Sequence, residues 1–124
     1  NLSDSVELTG ALKNVEWHKK SENFDIFINT TNVDNTPVSV MEAMALGLPV
    51  VSTNVGGLPY LIDNNIDGIL VSKGNSHEMA EAIFMLLDSK DRVLEITQKA
   101  RRKIEYFSWE KVKSKWLNLL DKGN

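Results

Sequence analysis

Residues 34–51 read DNTPVSVMEAMALGLPVV, and in that order they spell loop, helix, stop and strand. Thr36 can cap a helix whose first residue is Pro37, since proline lacks only an N–H that the first turn leaves unbonded anyway. Gly47 supplies the stop, so the reading is a helix over residues 37–46. PVVST at 49–53 is a continuous β-branched run, which marks a strand buried on both faces. The helix carries Val38, Val40, Met41, Ala43, Met44, Ala45 and Leu46, and a helix that apolar belongs between the sheet and another layer. Glu42 sits in the middle of it. An apolar helix carries a carboxylate at a cost unless the charge is paired or faces a cleft. Two readings stand: a buried ion pair with a distant Lys or Arg, or a ligand-facing group. Cβ atoms lean toward a helix N-terminus, which tilts Glu42 toward Ser39 and the loop carrying Asp34.

Outward from this stretch, elements alternate. VELT at 6–9 reads as a short strand ending at Gly10, residues 12–22 as a polar helix ending near Ser21, and DIFIN at 25–29 as a strand. A helical turn is expected over 59–63, a turn at NNIDG and a strand at 69–71. Ser76 can cap a helix with Met79, Ile83, Leu86 and Leu87 inside; further helices are expected over 91–105 and from Ser108 to about residue 120. Strands alternating with helices imply an α/β fold, a Rossmann-like parallel sheet with helices on both faces.

In open parallel sheets ligands bind beyond the carboxyl ends of the strands. Asp34–Thr36 and Gly56-Gly57 are two such loops. Free amides at the start of the 37–46 helix, with its dipole, suit an anion; Pro37 has no N–H, so the donors are Val38, Ser39 and Val40. Gly56-Gly57 either lets backbone approach a ligand closely or forms a turn that needs positive φ. An anion beside carboxylates that accept from hydroxyls suits a phosphorylated sugar or a nucleotide.

Composition narrows the alternatives. The chain has 124 residues, no cysteine and a net charge of −3, which excludes a disulfide scaffold, a Cys-based zinc site and a Cys nucleophile. The lack of basic excess argues against nucleic acid as main partner. The run Lys99, Arg101, Arg102, Lys103 is answered by Glu95 and Glu105 and reads as a solvated helix face. His18 and His77 read as surface residues, and Trp17, Trp109 and Trp116 as packing or interface. No apolar stretch approaches the roughly 20 residues needed to span a bilayer. No nucleophile-elbow motif is present. The polar opening and the missing initial Met suggest a piece of a longer protein, here one domain over residues 1–124.

EAMALGLPVVSTNVGGLP at 42–59 and NNIDGILV at 64–71, with VELTG at 6–10 and FSW at 107–109, resemble the C-terminal nucleotide-binding domain of GT-B fold retaining glycosyltransferases, the large family 4, or glycosyl transferases group 1. The family spaces two Glu by seven residues. By this resemblance Glu42 is the second and accepts hydrogen bonds from the ribose hydroxyls of a nucleotide sugar. Asp34 stands at the first, which touches the donor sugar and the reaction center. Asn35, Thr36 and Pro37 replace the usual aromatic-Gly segment, and Tyr60 replaces a Glu that often follows GG-x-P. Thr36, Val38, Ser39, Val40, Gly56 and Gly57 fall at the donor site. The resemblance implies a hexosyltransferase of polysaccharide biosynthesis that needs no metal or other cofactor. It implies a glycan or lipid acceptor held by an N-terminal domain, with the diphosphate-neutralizing Arg and Lys also ahead of residue 1, so that this part alone would be inactive. It implies a cytoplasmic protein, with peripheral association at the inner membrane face left open. A noncatalytic α/β interaction module and a GT-B sugar-nucleotide epimerase are the alternatives.

Overall fold

A computed structural model describes residues 2–121. Three strands, β1 (Phe27–Asn29), β2 (Val50–Thr53) and β3 (Ile69–Val71), form a parallel sheet in the order β1-β2-β3. Phe27 lies beside Val50, and Val51 beside Ile69. The helices are α1 (Asn14–Ser21), α2 (Val38–Leu46), α3 (Leu58–Leu61), α4 (Ser76–Asp88), α5 (Lys90–Glu105) and α6 (Trp109–Asp121). All four residues of β2 are buried, as its β-branched run predicts. Val50 and Leu70 pack with Val40, Ala43 and Met44 of α2 and Leu58 and Leu61 of α3. Val51, Ile69 and Val71 pack with Ala82 and Leu86 of α4. Successive strand residues point to opposite faces, so two cores form and helices cover both. α5 serves both, Ile96 in one and Ala100 in the other.

Several sequence expectations need correction. Residues 6–9 are exposed and pair with no strand among the described residues, so the period-two pattern there yields extended chain without a ladder. Thr36 is not the cap of α2. Pro37 holds that position in extended geometry, and its C=O already accepts from the Val40 and Met41 amides at 3.1 and 3.2 Å. The stop at Gly47 is as read, with φ +83° and its N–H returned to the last turn. α4 is capped by Asn75, not Ser76: Asn75 Oδ1 accepts from the Glu78 amide at 3.0 Å. Glu78 in turn accepts from the Ser72 amide at 2.8 Å, chiefly for which its carboxyl is held below the ordinary glutamate range. Leu87 is exposed, because Met79, Ala82, Ile83 and Leu86 already fill the inward stripe. α3 begins one residue before the expected turn and ends at Leu61, while α5 begins at Lys90 behind a Ser89 cap.

The basic run is only partly a solvated face. Lys99 pairs with Glu95, but Lys103 reaches inward to Asp63 at 2.8 Å, Asp67 at 2.5 Å and the Leu61 carbonyl at 3.0 Å. Asp67 is 3% exposed and also accepts from the Asp63 amide at 2.8 Å. This clamp fixes α5 to the turn between α3 and β3. Burial by itself would lower the lysine's pKa, yet hydrogen bonds and charge from Asp63 and Asp67 outweigh it and leave Lys103 above the ordinary value.

Candidate functional site

α2 is not buried all round. Val40, Ala43 and Met44 are sealed in the core, while Val38, Ser39, Ala45 and Leu46 are exposed and Met41 and Glu42 are half-buried. Glu42 therefore lies on the flank of the helix, at the border of core and solvent. It has no hydrogen bond or ion pair among the described residues. The buried ion pair that one reading required is absent among them.

The Glu42 side chain borders two clefts. One, of about 300 Å³, is walled by Gly10, Leu12, Asn14, Trp17, Phe27 and Ser39. Trp17 stacks edge-on against Phe27 with ring centers 5.8 Å apart, and its indole N–H is enclosed without a partner among the described residues. The other, of about 360 Å³, runs between α2 and the end of α5 and is walled by Met41, Ala45, Arg101, Ile104, Glu105, Phe107 and Ser108. Sequence reasoning missed the first cleft. Gly10 was legible as a chain stop, but nothing local tells that Gly10, Leu12, Asn14 and Trp17 line a cleft with Ser39 and Glu42 of α2. Arg101 is exposed, as its place on a solvated face predicts, and it also borders a cleft that Glu42 shares.

The start of α2 offers fewer donors than its spacing implied. The Val40 amide is bonded to Pro37 and the residue has no exposed surface, which leaves the Val38 and Ser39 amides unbonded within the helix. Ser39 and Thr36 are exposed, and neither side chain has a partner among the described residues. Asp34, half-buried, sits in the loop after β1 with its carboxylate likewise unpartnered. Its backbone is held firmly: the Asp34 carbonyl accepts from the Gly57 amide at 2.9 Å. A Cβ on Gly57 would overlap the Asn35 carbonyl oxygen, and one on Gly56 the Asp34 carbonyl oxygen. Gly56 also has φ +53°. Of the two readings of this pair, the positive φ is present at Gly56, and the close approach the structure shows is to the backbone of residues 34–35.

Among the described residues no group of three or more His, Cys, Asp and Glu comes together to hold a metal ion, and no helix is long and apolar enough to cross a membrane.

The glycosyl transferases group 1 family matches residues 1–89. The amylovoran biosynthesis glycosyltransferase AmsK of Erwinia amylovora is 33% identical over 111 residues, 85% of this chain and 27% of that protein. A TarM variant of S. aureus, solved with fondaparinux, alpha-GlcNAc-glycerol and UDP, superposes with a TM-score of 0.80 at 31% identity, over 95% of this chain and 24% of its own. The sucrose-phosphate synthase of Thermosynechococcus elongatus superposes with a TM-score of 0.90 over 98% of this chain and 31% of its own; at 22% identity that likeness is one of fold. The chain thus spans about a quarter to a third of each of these three proteins. The match over residues 1–89, which includes the loop of Asp34, the α2 helix with Glu42 and the glycine pair, settles the assignment: the chain belongs to the glycosyl transferases group 1 family, with the Rossmann-like α/β architecture of GT-B glycosyltransferases.

Proposed function

We propose that residues 2–121 form one wall of the donor pocket of a retaining hexosyltransferase that uses a nucleoside-diphosphate sugar. The observation that carries this reading is Glu42: a half-buried carboxylate, unpartnered among the described residues, on the flank of an otherwise apolar helix and at the mouth of a cleft. A ribose presents two adjacent hydroxyls, and a carboxylate accepts from both. Glu42 lies one turn from Val38, a rise of roughly 6 Å, which suits the step from ribose to diphosphate. In this arrangement the base lies along Gly10, Leu12 and Asn14, the ribose at Glu42, the diphosphate at the Val38 and Ser39 amides, and the donor sugar at Asp34. Thr36 is within the same loop. The UDP held by the S. aureus relative makes UDP the first ligand to try.

In the reaction the anomeric C–O bond breaks, the nucleoside diphosphate departs with the electron pair, and an acceptor hydroxyl oxygen forms the new C–O bond on the same face while its proton passes to the departing phosphate. The α2 dipole stabilizes that charge by about 0.3–2 kcal/mol. Enzymes lower such barriers by about 8 kcal/mol or more, so most of the stabilization must come from cations and acceptor groups in the rest of the protein. The acceptor, a glycan or lipid, would be held there too.

Calorimetric titration of the intact protein with UDP tests the reading. Glu42→Gln should weaken UDP about tenfold to a hundredfold, since a hydrogen bond to a charged group contributes about 1.5–3 kcal/mol, while the melting temperature stays put. Unchanged affinity in a folded variant would sink the assignment. A noncatalytic interaction module would bind no nucleoside diphosphate. An epimerase would convert a nucleotide sugar without an acceptor, which product analysis separates from transfer.

A further inference from the structure

The geometry points to Gly56-Gly57 as positioning residues for Asp34, a backbone lock that sets the reactive end of the donor pocket without touching the donor. The inference rests on the reading of Asp34 given above.

The loop between β1 and α2 is exposed at Asn32, Val33, Asn35 and Thr36, and little side-chain packing holds it. Its course is set by backbone ties to the next strand–helix connection. Thr53, at the end of β2, donates its hydroxyl to the Thr31 carbonyl at 2.5 Å. Three residues on in the loop, the Asp34 carbonyl takes the Gly57 amide at 2.9 Å. The contact is so close that neither glycine has room for a Cβ against the carbonyls of Asp34 and Asn35.

Which side yields when that contact is crowded follows from burial. Thr53, Leu58 and Leu61 flank the glycines and are buried, Leu58 with no exposed surface. The β1–α2 loop is buried only at its end, at Pro37, and is exposed at Asn32, Val33, Asn35 and Thr36, so an added methyl moves residues 33–36 and not the β2–α3 turn. Gly57 isolates the effect. Its φ is −82°, ordinary for any residue, so alanine there meets only the Asn35 carbonyl; Gly56 would add strain from its positive φ. Glu42 sits on α2, whose Val40, Ala43 and Met44 are locked in the core, and should not follow the loop. The lock therefore separates two functions: α2 sets nucleotide affinity, and the Gly57–Asp34 contact sets the sugar-end geometry. A displacement near 1 Å of a reacting group costs up to about a hundredfold in rate.

The test uses the intact protein with UDP for binding and UDP release from UDP-glucose and UDP-GlcNAc for turnover. Gly57→Ala should lower kcat at least ten- to a hundredfold and lower the melting temperature, because the Asn35 backbone must shift to admit the methyl, with UDP affinity per folded molecule within twofold. Gly57→Ala combined with Asp34→Asn should be no slower than Asp34→Asn alone, because the glycine acts through that carboxylate. Independent, multiplying losses would overturn the proposal, as would parallel falls in UDP affinity and melting temperature, which mark mere damage to the fold. If Asp34→Asn turns over like the wild type, the reading of Asp34 fails; if it is slow and Gly57→Ala is not, only the lock fails. Amide exchange in the unmodified protein decides the lock even where the variant does not fold. Gly57 N–H should be strongly protected, and exchange at the rate of an open loop would overturn it.

Discussion

Glu42 and Asp67 are both carboxylates at least partly withdrawn from solvent, and the fold treats them oppositely. Asp67 is nearly sealed and fully answered, by the Asp63 amide on one oxygen and Lys103 on the other. Glu42 is half-open and has no partner among the described residues. A buried charge with a complete set of partners holds parts of a protein together. A partly buried charge left without one fits the proposed role of accepting from a ligand outside the chain. The comparison teaches that a carboxylate's role is read from what answers it, and not from how apolar its neighbors are.

Breaking the answered pair should have the largest effect. Lys103→Met leaves Asp67 as an uncompensated buried charge and should lower stability by about 3 kcal/mol in denaturant titrations, with UDP affinity per folded molecule unchanged. The clamp also has a pH signature. Lys103 titrates above its unfolded value of about 10.4, so its contribution is complete below about pH 10.4 and is lost as pH rises through the higher folded value. The stability gap between wild type and Lys103→Met should be flat from neutral pH to that point and shrink beyond it. A gap that stayed constant through the alkaline limb would remove Lys103 from the clamp.

Disturbing the unanswered carboxylate should do the reverse. Glu42→Leu should leave the melting temperature unchanged or raise it, because no internal partner is stranded, while UDP binding drops at least tenfold. A loss of several degrees would place Glu42 with Asp67 and end the contrast. The helix starts give the smallest version. Asn75→Ala removes a side-chain cap from α4 and should cost about 1 kcal/mol, whereas Thr36→Ala at the uncapped start of α2 should stay within about 0.5 kcal/mol. Equal costs at the two sites would show that Thr36 does cap its helix.

The periodic parts of this fold were legible in the sequence. The strands at 49–53 and 69–71, the helix closed by Gly47 and the three C-terminal helices follow from patterns within ten or fifteen residues. What failed, failed for a local reason: the cap was placed one residue off at Ser76, whose polar neighbor Asn75 takes the Glu78 amide, and at Thr36, where Pro37 holds the cap position with no side-chain bond. The strand expected at 6–9 failed for a non-local one, since alternation makes a strand only where another strand pairs with it.

By itself the sequence determined that one carboxylate rides an apolar helix beside an anion-friendly helix start, and that a glycine pair follows the next strand. These are facts of residue type and spacing. Only the tertiary structure decided what each group faces. It sent Lys103 to Asp67, left Glu42 without a partner among the described residues, set Gly10, Leu12, Asn14 and Trp17 around a cleft with α2, and pressed Gly57 onto the Asp34 loop. The reason is that pairing, burial and close approach belong to two places in the chain at once, here 36 and 23 residues apart for Lys103–Asp67 and Gly57–Asp34. No local pattern encodes the distance between them.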